Sequence, residues 1–266
     1  MKDDSKLPLT RAVLRMLILL GTSAHAGLSF FVRRVRRPIP IAERAQWLHE
    51  SCRLALDRLG IEIVRDGRFP PRGLLVSNHL SYLDILVFSA VSPAIFVSKK
   101  EVRAWPLYGW LARLAGTIFV NRTLWADAHQ ANLRIGRALS EGSVVVLFPE
   151  GTSSDGTAVL PFRSTLLDAA IKSQEPISSA HISYTVENGS VEKEICYWGT
   201  MSFVPHLLRL MSLRGIRAQV RFAPEAQRFE DRKVAASATR KLVLTLGNVR
   251  RESKEVSRSR VTESSS

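Results

Sequence analysis

The chain of 266 residues, 45% of them apolar, is long enough to bury the core of one α/β domain and to carry appendages. Its 38 basic against 24 acidic residues leave a formal charge of +14, which favours an anionic partner: a phospholipid surface, a phosphorylated substrate or nucleic acid. Two cysteines, Cys52 and Cys196, exclude a disulfide framework and offer no zinc spacing, and the six histidines form no ligand-spaced pair, so no metal site is expected.

In chain order, Met16 to Val32 comes first, an apolar run between Arg11 and Arg15 on one side and Arg33, Arg34, Arg36 and Arg37 on the other. A membrane span needs about 20 predominantly apolar residues. This run is short and is interrupted by Thr22, Ser23, His25 and Ser29. A marginal span, a hairpin in one leaflet and an interfacial helix with snorkelling arginines all stay open. The arginines that follow it oppose export, so residues 1–40 are read as an uncleaved membrane anchor that keeps the remainder cytoplasmic, with the four arginines toward anionic headgroups. Residues 41–59 then place Ile41, Ala45, Leu48, Cys52, Ala55 and Leu59 on one helical stripe that faces a core.

From there, short β-type runs alternate with helical stretches. Strands are predicted at 61–65, 73–77, 95–98, 117–121, 144–148, 177–184, 194–198 and 216–222, and helices at 82–91, 106–115, 124–140, 162–173, 202–213 and 231–248. That order predicts an α/β domain over residues 41–249 with a largely parallel central sheet flanked by helices. From Arg250 to the end the composition is charged and serine-rich, which predicts a disordered basic tail. The basic clusters, Lys99-Lys100-Arg103 among them, are not interleaved with aromatics as in a single-strand platform, so nucleic acid ranks below membrane.

Two loops at predicted strand ends carry the chemistry. Behind the strand 73–77 the chain reads Asn78-His79-Leu80-Ser81-Tyr82-Leu83-Asp84. Residues five apart on a helix differ by roughly 140° and share no face, so His79 and Asp84 can meet only across a turn. With Ser81 as the cap of the next helix, His79 falls before it and Asp84 in its first turn. A carboxylate on one imidazole nitrogen fixes the tautomer, and the other nitrogen can take a proton from a hydroxyl. The plainer alternative is a capping box, in which Asp84 only reaches back to an amide. Asn78 is assigned first to holding the turn, and second to an oxyanion.

The second loop, Pro149-Glu150-Gly151-Thr152-Ser153-Ser154, leaves the apolar strand 144–148. Gly151 permits close backbone approach, and the hydroxyls of Thr152 and its neighbours can line a polar or anionic headgroup. An ordinary turn is the competing reading.

Together, NHLSYLD, FPEGT and the intervening KKEVRAWPLYGWLARLAGTIFVNR resemble the glycerolipid acyltransferase family, which includes bacterial 1-acylglycerol-3-phosphate acyltransferases. The resemblance covers roughly residues 40–245. His79 and Asp84 match the family's His-x4-Asp motif, Phe148 to Thr152 its Phe-Pro-Glu-Gly-Thr motif, Gly116, Phe119 and Arg122 the segment between them, and Glu175-Pro176-Ile177 its fourth motif. It implies that His79 is the general base and Asp84 its orienting partner, acting on an acceptor hydroxyl that attacks acyl-CoA or acyl carrier protein, with no bound cofactor and no acyl-enzyme. Glu150, Gly151, Thr152, Arg122 and Arg163 become candidates for substrate binding, and Asn78 and Ser81 for turn or oxyanion support. Lys99, Lys100 and Arg103 are candidates for the phosphates of coenzyme A or an acidic carrier protein.

One departure bears on the acceptor. Many members follow the Thr with Arg, and Ser153 stands there instead. A fixed bidentate phosphate donor is thereby lost. The expected product is phosphatidic acid from its lyso form, at the cytoplasmic face of a bacterial inner membrane. Lyso-ornithine lipid is the alternative acceptor, because FPEGTSSDG and YWGTMSFVPHLLRL resemble that branch. A non-catalytic binder of lipid surfaces is the remote alternative.

Overall fold

A computed structural model describes residues 6–121 and 125–263 of the chain; Arg122 lies outside the described residues. Two helices, α1 (Lys6–Arg36) and α2 (Ile41–Leu59), precede β1 (Glu62–Asp66) and β2 (Gly73–Ser77). Then follow α3 (Leu83–Val91), β3 (Ile95–Lys99), a 3₁₀ turn (Lys100–Ala104), α4 (Tyr108–Leu114), β4 (Ile118–Val120), α5 (Trp125–Ser140) and β5 (Val144–Leu147). The chain continues with α6 (Asp168–Lys172), β6 (Ile177–Thr185), a π-helical turn (Val191–Ile195), α7 (Phe203–Ser212), β7 (Arg217–Phe222) and α8 (Arg232–Glu263).

The seven strands form one sheet in the order β1-β7-β6-β2-β5-β3-β4. Every pairing is parallel except β6 with β7. Central strands buried on both faces read as unbroken apolar runs, which is why β2 and β5 show no alternation. Their side chains nevertheless part by period two: Leu75 and Val146 join the core beneath α2, α3 and α7, and Leu74, Val76, Val145 and Leu147 join that beneath α5, α6 and α8. Gly73 fixes where β2 begins, since at its φ of +92° a Cβ would stand 2.3 Å from the Pro176 carbonyl oxygen, and Leu74 N donates to that same oxygen at 2.9 Å.

Two expectations are corrected. The strand predicted at 194–198 begins instead as the π-helical turn, because Ser190 and Glu194 close it locally: Glu194 accepts from Ser190 N at 2.5 Å, and Ser190 Oγ from Lys193 N at 3.4 Å. The helix predicted at 162–173 shrinks to α6, because the segment before it is tied elsewhere, with Arg163 N bonded to the Pro149 carbonyl and Asn132 to that of Thr165. α8 packs on β6 and is drawn as one helix to Glu263, past residue 250 where the sequence places the start of the tail.

Among the described residues one helix, Leu9–Val35 within α1, is long and apolar enough to cross a membrane. It packs along α2 and α7. Near one end Arg11 and Arg15 donate to the carbonyls of Ser212 and Leu213 at 3.1 and 2.6 Å, capping the C-terminus of α7. Toward the other, Trp47 Nε1 donates to the Ala26 carbonyl at 3.1 Å, and Arg33 pairs with Glu50 at 2.7 Å. The inner face carries Ala12, Leu19, Ala26 and Phe30, while Leu14, Leu17, Leu28, Phe31 and Val35 point outward and are exposed. A helix that is apolar all round and covered on one side leaves an apolar stripe for another solvent.

Candidate active site

The two loops meet because their strands are neighbours. In the β2–β5 register Leu74 faces Val145 and Val76 faces Leu147, so residues leaving β2 come level with those leaving β5. The His79 ring stacks on Phe148, with centroids 4.2 Å apart and planes 14° from parallel. Seventy-one positions apart in the chain, Glu150 Oε1 accepts from His79 N at 2.8 Å. Ligand sites of open α/β sheets gather at such strand ends.

His79 and Asp84 are in contact: Nδ1 lies 2.8 Å from Asp84 Oδ2. The carboxylate is fully buried, whereas the imidazole keeps 19% of its surface. Oδ2 also accepts from Leu80 N at 2.7 Å and Ser81 N at 3.0 Å, and Oδ1 from the Tyr184 hydroxyl at 2.6 Å. With four donors gathered on that carboxylate, Nδ1 serves as one of them and Nε2 is left to accept. Asp84 therefore serves both roles that the sequence set against each other. It closes the helix start with Ser81, whose Oγ accepts from Leu83 N at 3.3 Å, and it orients the histidine.

The other predicted residues fall into two groups. Asn78 holds the turn: its Nδ2 donates to the Ile182 carbonyl at 2.9 Å and its Oδ1 accepts from Ile182 N at 2.8 Å, extending the β2–β6 ladder by a side chain. This is the turn-holding role that the sequence ranked first. Glu150 is likewise structural, since Oε2 accepts from Leu160 N at 3.1 Å while Oε1 holds His79. Burial raises its pKa from 4.5 to about 7, against the lowering effect of those two amides. Gly151 sits at φ +79°, the left-handed turn that its residue type suggested, and is buried. Thr152 and Arg163 are exposed; Arg163 borders, with Phe148 and Pro149, a cavity of only about 70 Å³. Ser153 donates its hydroxyl to the Tyr197 carbonyl.

Three contributors escaped the sequence. Tyr184 is the first, and burial together with the Asp84 charge pushes its pKa up, so it stays a donor. Ser154 is the second: its amide donates to the His79 carbonyl at 2.9 Å, so this loop grips His79 at both N and O. The third is Arg240 of α8, which holds the carbonyls of Val159 and Leu160 at 2.6 and 3.0 Å. Their signal lies in register and tertiary contact, not in motif.

Two cavities are bordered by chain neighbours of the dyad. One, between α1, α2, α3 and α4, is apolar and bordered by Leu19, Ala26, Ala55, Phe96 and Leu111, with Tyr82 and Ile85 its lining residues nearest Asp84 in sequence. The Tyr82 hydroxyl bonds His206 Nδ1 at 2.9 Å. Burial lowers the His206 pKa, which keeps the ring neutral. The other, about 520 Å³, has a mixed lining: Asn78 and Leu80, the chain neighbours of His79, apolar Val159 and Ile182, and Asp155, Glu192 and His181; no lysine or arginine among the described residues lines it.

A carboxylate-oriented histidine with one ring nitrogen free, at the strand ends of an α/β sheet, is suited to taking a proton from a hydroxyl, and the comparison with known proteins gives the class. The acyltransferase family pattern matches residues 60–183. A lyso-ornithine lipid O-acyltransferase of Rhizobium meliloti (strain 1021) is 38% identical over 202 residues, covering 70% of this chain and 68% of the relative. A 1-acyl-sn-glycerol-3-phosphate acyltransferase of Neisseria gonorrhoeae is 34% identical over 188 residues, covering 70% and 73%. The crystal structure of the 1-acyl-sn-glycerophosphate (LPA) acyltransferase PlsC from Thermotoga maritima shares the fold, with a TM-score of 0.62 over 90% of this chain and 98% of that one at 18% identity. The chain belongs to the acyltransferase family, and it is an acyltransferase enzyme.

Proposed function

We propose that the protein is a membrane-associated O-acyltransferase that completes a lysolipid, with lyso-ornithine lipid as the acceptor. The His79–Asp84 contact carries the reaction. His79 Nε2 takes the proton of the acceptor hydroxyl as its oxygen attacks the thioester carbonyl; the new C–O bond forms, the C–S bond breaks, and the imidazolium returns its proton to the departing thiolate. Asp84 stabilises that imidazolium from a water-free position. The apolar cavity beside α3 takes a fatty chain, and the outward stripe of α1 meets the bilayer at its cytoplasmic face.

For the acceptor, the lining of the larger cavity supports lyso-ornithine lipid ahead of lysophosphatidate, the opposite of the order ranked from the sequence. Its charged lining, Asp155 and Glu192, suits an amino headgroup and repels a phosphate. The name of the Rhizobium relative agrees. Arg163 supports the second reading, lysophosphatidate, although the cavity it borders is small.

Purified protein in neutral detergent, given labelled acyl-CoA or acyl carrier protein, is offered both lysolipids in parallel with His79→Ala. Product from lyso-ornithine lipid, lost in the variant and weakened by Glu192→Gln, is the expected result. Full turnover by His79→Ala would remove the general-base assignment. A preference for lysophosphatidate, enhanced by Ser153→Arg, would restore the phosphate acceptor.

A further inference from the structure

A second charged cavity, of about 480 Å³, lies at the far edge of the sheet beyond β4. Arg44 of α2, Lys100 and Arg103 of the 3₁₀ turn, Arg113 of α4 and Arg134 of α5 border it, and Asp127 is the one carboxylate among its described lining residues. Lys100 stands 3.8 Å from Asp127, and Arg44 Nε donates to the Ile39 carbonyl at 3.1 Å. Among the described residues, Arg103, Arg113 and Arg134 have no carboxylate partner. Like charges brought together around a concavity repel by about 1 kcal/mol per close pair even in water, and nothing in the fold requires their convergence. A bound polyanion relieves it, and a concave wall raises the local potential.

Distance decides which anion. The cavity adjoins β4, His79 follows β2, and β5 and β3 lie between, so three strand spacings, about 14 Å, separate the two. A glycerol-type acceptor carries its phosphate only a few bonds from the reacting hydroxyl and cannot span that gap. A thioester donor whose phosphates hang on a pantetheine arm can. The concave form suits a small molecule and not the face of an acidic carrier protein. Phe119, half-buried on β4, also lines the cavity and offers a ring to a purine.

We infer that this edge cavity holds the adenosine 3′-phosphate and pyrophosphate of acyl-CoA, with the arm crossing the ends of β3 and β5 toward His79. The inference rests on the acyltransferase reading for its donor, but nucleotide binding can be read without turnover.

The probe is adenosine 3′,5′-bisphosphate, titrated calorimetrically into the full chain in neutral detergent. Wild type should bind it, and Arg103→Ala/Arg113→Ala/Arg134→Ala should bind at least about tenfold more weakly. The same variant should raise KM for acyl-CoA by about tenfold with kcat nearly unchanged, and leave KM for acyl-pantetheine, which has no phosphate, unaltered. The matching triple lysine variant should keep most of the affinity, which separates charge from folding. Absence of bisphosphate binding by wild type overturns the inference. So does an equal KM rise with acyl-pantetheine, an effect confined to acyl carrier protein, or one that appears only on vesicles containing anionic lipid.

Discussion

Asp84 Oδ1 has one described donor, the Tyr184 hydroxyl at 2.6 Å, and that makes Tyr184 a positioning residue for the dyad. Tyr184→Phe should cost about 1.5–3 kcal/mol in denaturant unfolding, as expected for a hydrogen bond to a buried charge, and lower kcat by about tenfold while KM for either substrate holds. Glu150 gives a pH signature. Its folded pKa, raised by burial to about 7, exceeds the ordinary 4.5, so between those values the unfolded chain has released a proton that the folded chain keeps. Stability from this group is thus fully present below 4.5 and is lost as pH rises toward 7, by on the order of 3 kcal/mol. Glu150→Gln should flatten that slope in unfolding titrations. It should also depress turnover by one to two orders of magnitude, about 1–3 kcal/mol, because an amide NH2 would face either His79 N or Leu160 N. At this scale the His79–Asp84 pair was legible, since its spacing admits contact only across a turn. Tyr184 was not, because nothing local announces that a residue 100 positions away reaches the same carboxylate.

Among the elements, the decisive fact is that β2 and β5 are adjacent although β3 and β4 intervene in the chain. Their apolar runs identified the strands from sequence, but runs buried on both faces contain no information about order. The segments misread, 162–173 and 194–198, are those held by distant carbonyls or by a serine–glutamate closure, where tertiary and local polar bonds override hydrophobic period. The packing of α1, α2, α3 and α4 makes the apolar cavity proposed above as the acyl cavity, and on that reading its far wall sets how much chain it accepts. Ala55→Phe on α2 should shorten the preferred acyl chain by about four methylenes, the volume of the added ring, when a series of donors is compared. An unchanged profile would place the fatty chain elsewhere.

For the whole molecule, a net charge of +14 and the exposed apolar side of α1 act on the same surface event. Cosedimentation with anionic vesicles should weaken as salt rises, and should weaken further in Leu14→Gln/Leu17→Gln/Phe31→Gln with little change in melting temperature, since all three side chains point outward. The sequence marked this helix as an anchor and left its pose open, because composition does not tell a helix that leaves the domain from one that lies on it. Its inner face answers that. Arg11 and Arg15 terminate α7, Trp47 is tied to Ala26, and the acyl cavity takes part of its wall from Leu19 and Ala26. Removing residues 1–37 would therefore open the binding chamber and unseal a neighbouring helix, and should yield aggregate instead of a soluble enzyme. A water-soluble form has to be made by repainting the outside of α1, because the part that meets lipid is also a wall of the room in which the lipid is made.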